Sequence, residues 1–220
     1  MSFGSLSPRR ALLVIDVQNE YVTGDLPIEF PAVQTSLANI GRAIDAARVA
    51  GVPVIVVQNF APAGSPIFAR GTPGAELHPV VASRQHDHYV SKALPSAFAG
   101  TDLAEWLAAQ QIDTLTVTGY MTHNCDASTI NHALHAGLTV EFLEDATGSL
   151  SYENAAGFAS AEEIHRVFSV VLHSRFAAVA STEAWIAAVQ KGVALERGNI
   201  YASNQKARAR LASPRSATRD

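Results

Sequence analysis

Thr114-Leu115-Thr116-Val117-Thr118-Gly119-Tyr120-Met121-Thr122-His123-Asn124-Cys125 is the stretch on which the reading of this chain turns. Its first half is apolar and β-branched, the composition of a buried strand. Gly119 ends the run. A short polar turn follows, and a helical pattern starts around Cys125, the only cysteine among 220 residues. The order is strand, turn, helix N-terminus, with a thiol at the tip. Two readings of that thiol fit. Free cysteines are often inert core residues. A cysteine at a helix N-terminus is stabilised as thiolate, and the unpaired N–H groups there can receive an oxyanion.

Working outward, Ala11-Leu12-Leu13-Val14-Ile15 is a continuous apolar run that ends in Asp16-Val17-Gln18-Asn19. It predicts a central strand buried on both faces, with a carboxylate at its C-terminal end. Open α/β sheets place ligands in the crevice at such strand ends. Asp16 could equally be a turn residue. His88 to Lys92 is a short β-like run before the turn Ala93-Leu94-Pro95-Ser96. Taken alone, Lys92 reads as a solvated surface lysine.

Strands are predicted near 11–16, 53–58, 88–92, 113–118, 138–144 and 177–181. Helices are predicted near 33–50, 101–111, 125–137, 160–174 and 182–190. Strands alternating with helices imply right-handed βαβ crossovers and a parallel sheet covered on both faces. The expected fold is a three-layer αβα sandwich around a six-stranded parallel sheet of order 3-2-1-4-5-6. That order sets strands 1 and 4 side by side, so Asp16 and Cys125 meet at the topological switch point.

Three segments together resemble the isochorismatase-like cysteine hydrolases. They are Leu-Val-Ile-Asp-Val-Gln-Asn-Glu-Tyr around Asp16, Ser-Lys…Ser-Ala-Phe-Ala-Gly-Thr-Asp-Leu from Ser91 to Leu103, and Gly-Tyr-Met-Thr-His-Asn-Cys ending at Cys125. Glu144-Asp145-Ala146 also looks like a strand end of that family. The resemblance covers roughly residues 10 to 190. It implies a catalytic triad of Asp16, Lys92 and Cys125. It implies an oxyanion hole from the backbone N–H groups of Met121 and Cys125, with a cis peptide between Tyr120 and Met121.

The implied chemistry suits those residue types. A free thiol has a pKa of about 8.5, which a nearby cation and a helix N-terminus lower. Lys92 and the helix after Cys125 are expected to do so here. Asp16 would take the thiol proton and deliver it to the leaving amine. The thiolate would attack an amide carbonyl, and water would hydrolyse the thioester.

Departures from known members narrow the expectation. The isochorismatases that cleave a vinyl ether do not use the cysteine, so Cys125 favours C–N hydrolysis. Nicotinamidases carry an Asp-x-His…His metal site after the second strand. Here that region, Gln58 to Phe68, has no histidine. Elsewhere, His86-x-His88 and the pair His132 and His135 lack further ligands at known spacing. No metal and no cofactor are expected. Asp126 is expected to face away from the thiol and cap the helix. His123 either orients substrate or packs under the loop.

Composition agrees with one compact domain: 48% of residues are apolar and the formal net charge is −4. Mild acidity argues against nucleic-acid binding. A single cysteine suits a reducing, cytoplasmic setting. No apolar run approaches membrane-spanning length, and Met1 to Arg10 does not read as a signal peptide. Long connections at 21–31 and 60–85 suggest a pocket, with Tyr21, Asn59, Phe60, Phe68 and Tyr120 as its walls. The hydrolase domain is placed at 1–191. Residues 192–220 form a basic tail carrying Lys206, Arg208, Arg210, Arg215 and Arg219. Its apolar pairs Ala194-Leu195 and Ile200-Tyr201 suggest an arm in a homo-oligomer, ordered to about Leu211 and disordered after Pro214. The expected partners are a small-molecule substrate and other copies of the chain. Two alternatives stay open: a noncatalytic or redox-sensing protein, and a vinyl-ether hydrolase.

Overall fold

A computed structural model describes residues 7–212. The expected disorder after Pro214 concerns residues outside that range. Six strands form one parallel sheet: β1 (Arg10–Ile15), β2 (Val54–Asn59), β3 (His88–Lys92), β4 (Thr114–Tyr120), β5 (Thr139–Gly148) and, last in sequence, β8 (Ala178–Ala180). Between β5 and β8 lies an antiparallel hairpin of β6 (Tyr152–Asn154) and β7 (Gly157–Ala159). The sheet order is β3-β2-β1-β4-β5-β8. This is the predicted 3-2-1-4-5-6 order, since the hairpin strands take the numbers in between.

Each strand alternates its side chains between two cores. Leu12, Val14, Val54 and Val56 face α1 (Val33–Ala50) and Trp185 of α6 (Thr182–Lys191). Leu13, Ile15, Ile55 and Val57 face the opposite layer. That layer comprises α3 (Leu103–Ala109), α4 (Ala127–His135) and α5 (Ala161–Arg175). The near-continuous hydrophobicity of Ala11 to Ile15 follows from this double burial. A short α2 (Pro79–Ala82) and a terminal α7 (Ile200–Ala212) complete the helices.

Local chemistry sets the boundaries. Gly51 closes α1 at φ 69°, a left-handed C-cap that glycine adopts without steric cost. Ser160 and Glu163 form a reciprocal capping box at the start of α5. β5 runs four residues beyond its predicted end, because Thr147 and Gly148 pair with Gly119 and Tyr120 after an irregularity in the ladder. The sequence reading missed the hairpin and α2, both too short to show a period. Among the described residues, no helix is long and apolar enough to cross a membrane.

The segment after α6 is bound to the body. Arg10 Nη2 donates to the Val193 carbonyl at 2.6 Å, and Arg197 Nη2 donates to the Arg175 carbonyl at 2.9 Å. Leu195 packs against the α1 core. α7 then lies against α5 at its start, and none of its residues is buried.

Candidate active site

The carboxyl ends of four adjacent strands converge. Asp16 follows β1, Asn59 ends β2, Lys92 ends β3, and Cys125 sits in the turn after β4. Asn59 and Lys92 are register partners across the β2–β3 ladder. Lys92 Nζ lies 2.6 Å from Asp16 Oδ2 and 3.3 Å from Cys125 Sγ. A third contact, 3.3 Å to Asn59 Oδ1, completes the ammonium's surroundings. The structure therefore brings together the three residues picked from three separate segments.

Each is fixed by its backbone. Asp16 stands at φ 51°, an uncommon conformation for a residue with a side chain, and its N–H donates to the Val57 carbonyl at 2.9 Å. Cys125 belongs to a π-helical turn, Thr122–Asp126, in which the Asp126 N–H reaches back to the Met121 carbonyl at 3.2 Å. The Tyr120–Met121 peptide is cis. Met121 and Cys125 thus bracket one turn directly beside the ion pair.

The site is buried and its charges act on one another. Asp16 and Lys92 are both buried, and Cys125 is only 5% exposed. Burial raises the Asp16 pKa, against the opposing pull of Lys92. Burial works against the Lys92 charge, but Asp16 and Cys125 outweigh it and hold the ammonium above its ordinary value. Burial also pushes the Cys125 thiol well up, Asp16 adds to the rise, and Lys92 only partly offsets it. The expected low-pKa thiolate is thus corrected for the resting site. The sequence shows the helix and the cation, whereas the cost of desolvating sulfur depends on the tertiary fold. Among the described residues the Asp16 carboxylate has no well-aligned hydrogen-bond donor beyond its contacts with Lys92 and the Cys125 thiol, so it offers the thiol proton an acceptor.

The expected pocket walls separate. Tyr21 packs its ring 5.1 Å from Phe68, and the charges of Asp16 and Cys125 act on its hydroxyl. Phe60 and Lys92 line a cavity of about 480 Å³ with Arg70, Ser91 and Leu94. The Arg70 guanidinium lies 3.8 Å over the Phe60 ring. Tyr120 is a correction: it is fully buried, and its hydroxyl is paired with Ser36 of α1 at 2.7 Å, so it belongs to the core. Another depression, about 420 Å³ between α5 and α7, has no triad residue in its wall.

Some neighbours were missed. Tyr152 of the hairpin bonds His123 Nε2 at 2.9 Å and is close enough for Cys125 to act on its hydroxyl. His123 is held between Tyr152 and Ser149, and burial lowers its pKa to about 4, which makes it a neutral strut. Gln18 clamps the end of β2 by accepting from the Asn59 N–H at 3.0 Å and donating to its carbonyl at 2.9 Å. Asp126 does not cap α4; its carboxyl is buried beneath the turn. His88 stacks on Trp106 and bonds Asp102, and His132 stacks on Phe98 and bonds Ser96. Among the described residues, no group of three or more His, Cys, Asp or Glu side chains could hold a metal ion.

Comparison with known proteins agrees with this geometry. The family described as Isochorismatase domain matches residues 10–184. The crystal structure of a putative isochorismatase from Burkholderia xenovorans LB400 superposes with a TM-score of 0.93 at 82% identity, covering 94% of this chain and 100% of that one. An uncharacterized isochorismatase family protein of Bacillus subtilis, YddQ, is 30% identical over 178 residues, 80% of this chain and 98% of its own. A ureidoacrylate amidohydrolase of Variovorax paradoxus is 30% identical over 173 residues, 64% of this chain and 69% of its own.

Proposed function

Because the chain belongs to the isochorismatase family and is a hydrolase, we propose that it cleaves a C–N bond of a small amide, carbamoyl or ureido compound, with Cys125 as nucleophile. The observation that carries this reading is the ammonium of Lys92 held between the Asp16 carboxylate and the Cys125 sulfur, 2.6 and 3.3 Å away. The similarity to an amidohydrolase supports C–N over vinyl-ether cleavage.

In the proposed cycle the resting site holds a neutral thiol beside a Lys92–Asp16 ion pair. As substrate enters, the thiol proton moves to Asp16 and Sγ bonds to the carbonyl carbon. The net charge of the triad does not change, so a raised thiol pKa and a raised Asp16 pKa are compatible with the transfer. Lys92 then pairs with sulfur in place of carboxylate. The carbonyl oxygen gains charge against the N–H groups of Met121 and Cys125. Asp16 returns the proton to nitrogen as the C–N bond breaks, and the amine or ammonia leaves a thioester. Water attacks that thioester and gives its proton to Asp16. The C–S bond breaks, the acid departs, and the proton returns to sulfur. The cycle needs no cofactor.

Tyr21, Asn59, Phe60 and Phe68 are proposed to shape the substrate chamber, together with Tyr152. The burial of Cys125 speaks for the hydrolase reading over the redox-sensing alternative, which calls for an exposed thiolate. A cytoplasmic setting suits a mechanism that keeps Cys125 reduced. The proposed partners are the substrate and further copies of the chain. The test is ammonia release from a panel of small amides and ureido acids. Cys125→Ala should abolish release while keeping the melting temperature within a few degrees, because it removes one sulfur at a crevice. Wild-type release by purified Cys125→Ala would sink the thioester mechanism.

A further inference from the structure

Asp126 is a fully buried carboxyl next in sequence to Cys125, and the cycle above does not use it. Its Oδ1 has no hydrogen-bond partner among the described residues. Its Oδ2 accepts from Thr147 Oγ1 at 2.5 Å. The chain continues from Thr147 to Thr122 at 3.1 Å, and from Thr122 to His165 Nδ1 at 2.9 Å. Two hydroxyls therefore connect a buried carboxyl beneath the Cys125 turn to an imidazole on α5. Each hydroxyl can donate in either direction, so the chain has two consistent polarities. In one, His165 Nδ1–H starts a run of donors that ends on an ionised Asp126. In the other, a protonated Asp126 starts the run and His165 Nδ1 accepts.

We propose that Asp126 is a positioning residue that sets the proton affinity of the Asp16–Cys125 pair, by carrying or shedding a proton along the Thr147–Thr122–His165 chain. When Asp126 loses its proton, each hydroxyl hands one proton on, and the excess leaves through the His165 ring. A second negative charge then sits beside Asp16, and it opposes formation of a thiolate at Cys125. Other titratable groups meet Asp126 from the elements around it: Asp16 after β1, Lys92 at the end of β3, and the neutral hydroxyls of Tyr21 and Tyr120. Lys92 is the only cation in this set and is already shared with Asp16 and Cys125. Burial raises the Asp126 carboxyl to about 7, so both charge states are accessible near neutrality. Burial holds His165 neutral, as the chain requires of its terminal acceptor.

This inference rests on Cys125 as the reactive group, but its test needs no substrate. The rate of Cys125 alkylation by iodoacetamide is followed by mass spectrometry across pH 5 to 10, in wild type, Asp126→Asn and Thr147→Val. Asp126→Asn removes the charge. Thr147→Val removes the donor that stabilises it. Burial holds the thiol above this range, so the rising limb of the profile is what is read, and both variants should raise the rate at fixed pH 9 roughly tenfold, as for loss of one nearby like charge. A purely structural role would lower the melting temperature without changing that rate. Unchanged rates in folded variants would overturn the proposal. Should both variants misfold, wild-type protein carrying ¹³C-labelled aspartate decides by NMR. A signal assigned to Asp126 by through-bond correlation and titrating near neutrality supports the proposal, and its absence refutes it. If Cys125 alkylates with these profiles but no amide is hydrolysed, the function fails and the Asp126 assignment stands. If amides are hydrolysed and the alkylation rates coincide, only the Asp126 assignment falls.

Discussion

Gly119 lies against Ile15 so closely that a Cβ on it would stand 2.0 Å from the Ile15 carbonyl oxygen. The two are register partners in the β1–β4 ladder, one residue before Asp16 and six before Cys125. Gly119 also adopts φ 115°, a region in which side chains are strained. This contact lets the Cys125 turn fold back over the end of β1.

Gly119→Ala is therefore expected to separate the two strand ends. Overpacking and backbone strain each cost about 1–3 kcal/mol, so urea denaturation should show a loss of about 2–6 kcal/mol. The variant that does fold should lose amide hydrolysis. Near-wild-type stability and activity would mean that the close approach does not position the site.

Lys92→Ala removes the only cation between Asp16 and Cys125. The thiol pKa, already raised by burial and Asp16, should rise further by a unit or more. Alkylation of Cys125 by iodoacetamide at pH 8 should slow at least about tenfold, with hydrolysis lost. The buried Asp16 charge is also left uncompensated, at a cost of about 3–5 kcal/mol. Lys92→Ala/Asp16→Asn should recover part of that stability and none of the activity. An unchanged alkylation rate in Lys92→Ala would assign thiol activation to the helix N-terminus alone.

Asp16 was legible as the carboxylate closing an apolar strand and Cys125 as the thiol of a strand–turn–helix junction, on the edge where an α/β sheet gathers its strand ends; Lys92 was legible only through the family resemblance. Asn59 was expected as a pocket wall beside a long connection, and it stands at the end of β2 against Lys92. What the sequence could not show is what lies under or over that edge. Tyr120 looked like a pocket wall, yet the alternation of β4 turns its ring into the α1 core, where Ser36 takes its hydroxyl. Asp126 looked like a helix cap, but the π-helical turn rotates it beneath Cys125 and onto Thr147, a residue of the unpredicted end of β5. Tyr152 reaches the site on a hairpin of two three-residue strands, too short to carry a period. The thiol's direction of shift was misjudged because burial is a property of the whole fold.

The burial of Asp126 makes stability depend on pH. Its folded-state pKa of about 7 exceeds the ordinary 3.8. Below pH 4 both folded and unfolded chains hold the proton, and the stabilising contribution is complete. As pH rises from about 4 to 7, the unfolded chain releases the proton before the folded one, and that contribution is lost. Linkage puts the loss on the order of 4 kcal/mol. Urea denaturation at pH 5 and pH 8 should show wild type losing more stability over this interval than Asp126→Asn. Parallel losses would show that Asp126 ionises as readily in the folded chain as in the unfolded one.

Residues 193–199 and α7 stand in different relations to the body of the chain. Residues 193–199 are held to their own chain through Arg10, Arg175 and the packing of Leu195, so removing them should lower stability whatever the oligomeric state. α7 is different. It buries no residue, and it exposes 53% of Ile200, 75% of Tyr201 and 85% of Leu211. A solvated helix has no need of those side chains, whereas an arm on a neighbouring, net-acidic subunit would use them together with Lys206, Arg208 and Arg210. A chain ending at Asn199 should therefore lose assembly by light scattering while keeping its melting temperature within a few degrees at low protein concentration. A chain ending at Leu211 should keep the mass of the full-length protein, because the apolar contacts remain. Equal masses for all three chains would reject the arm and leave α7 a solvated appendage.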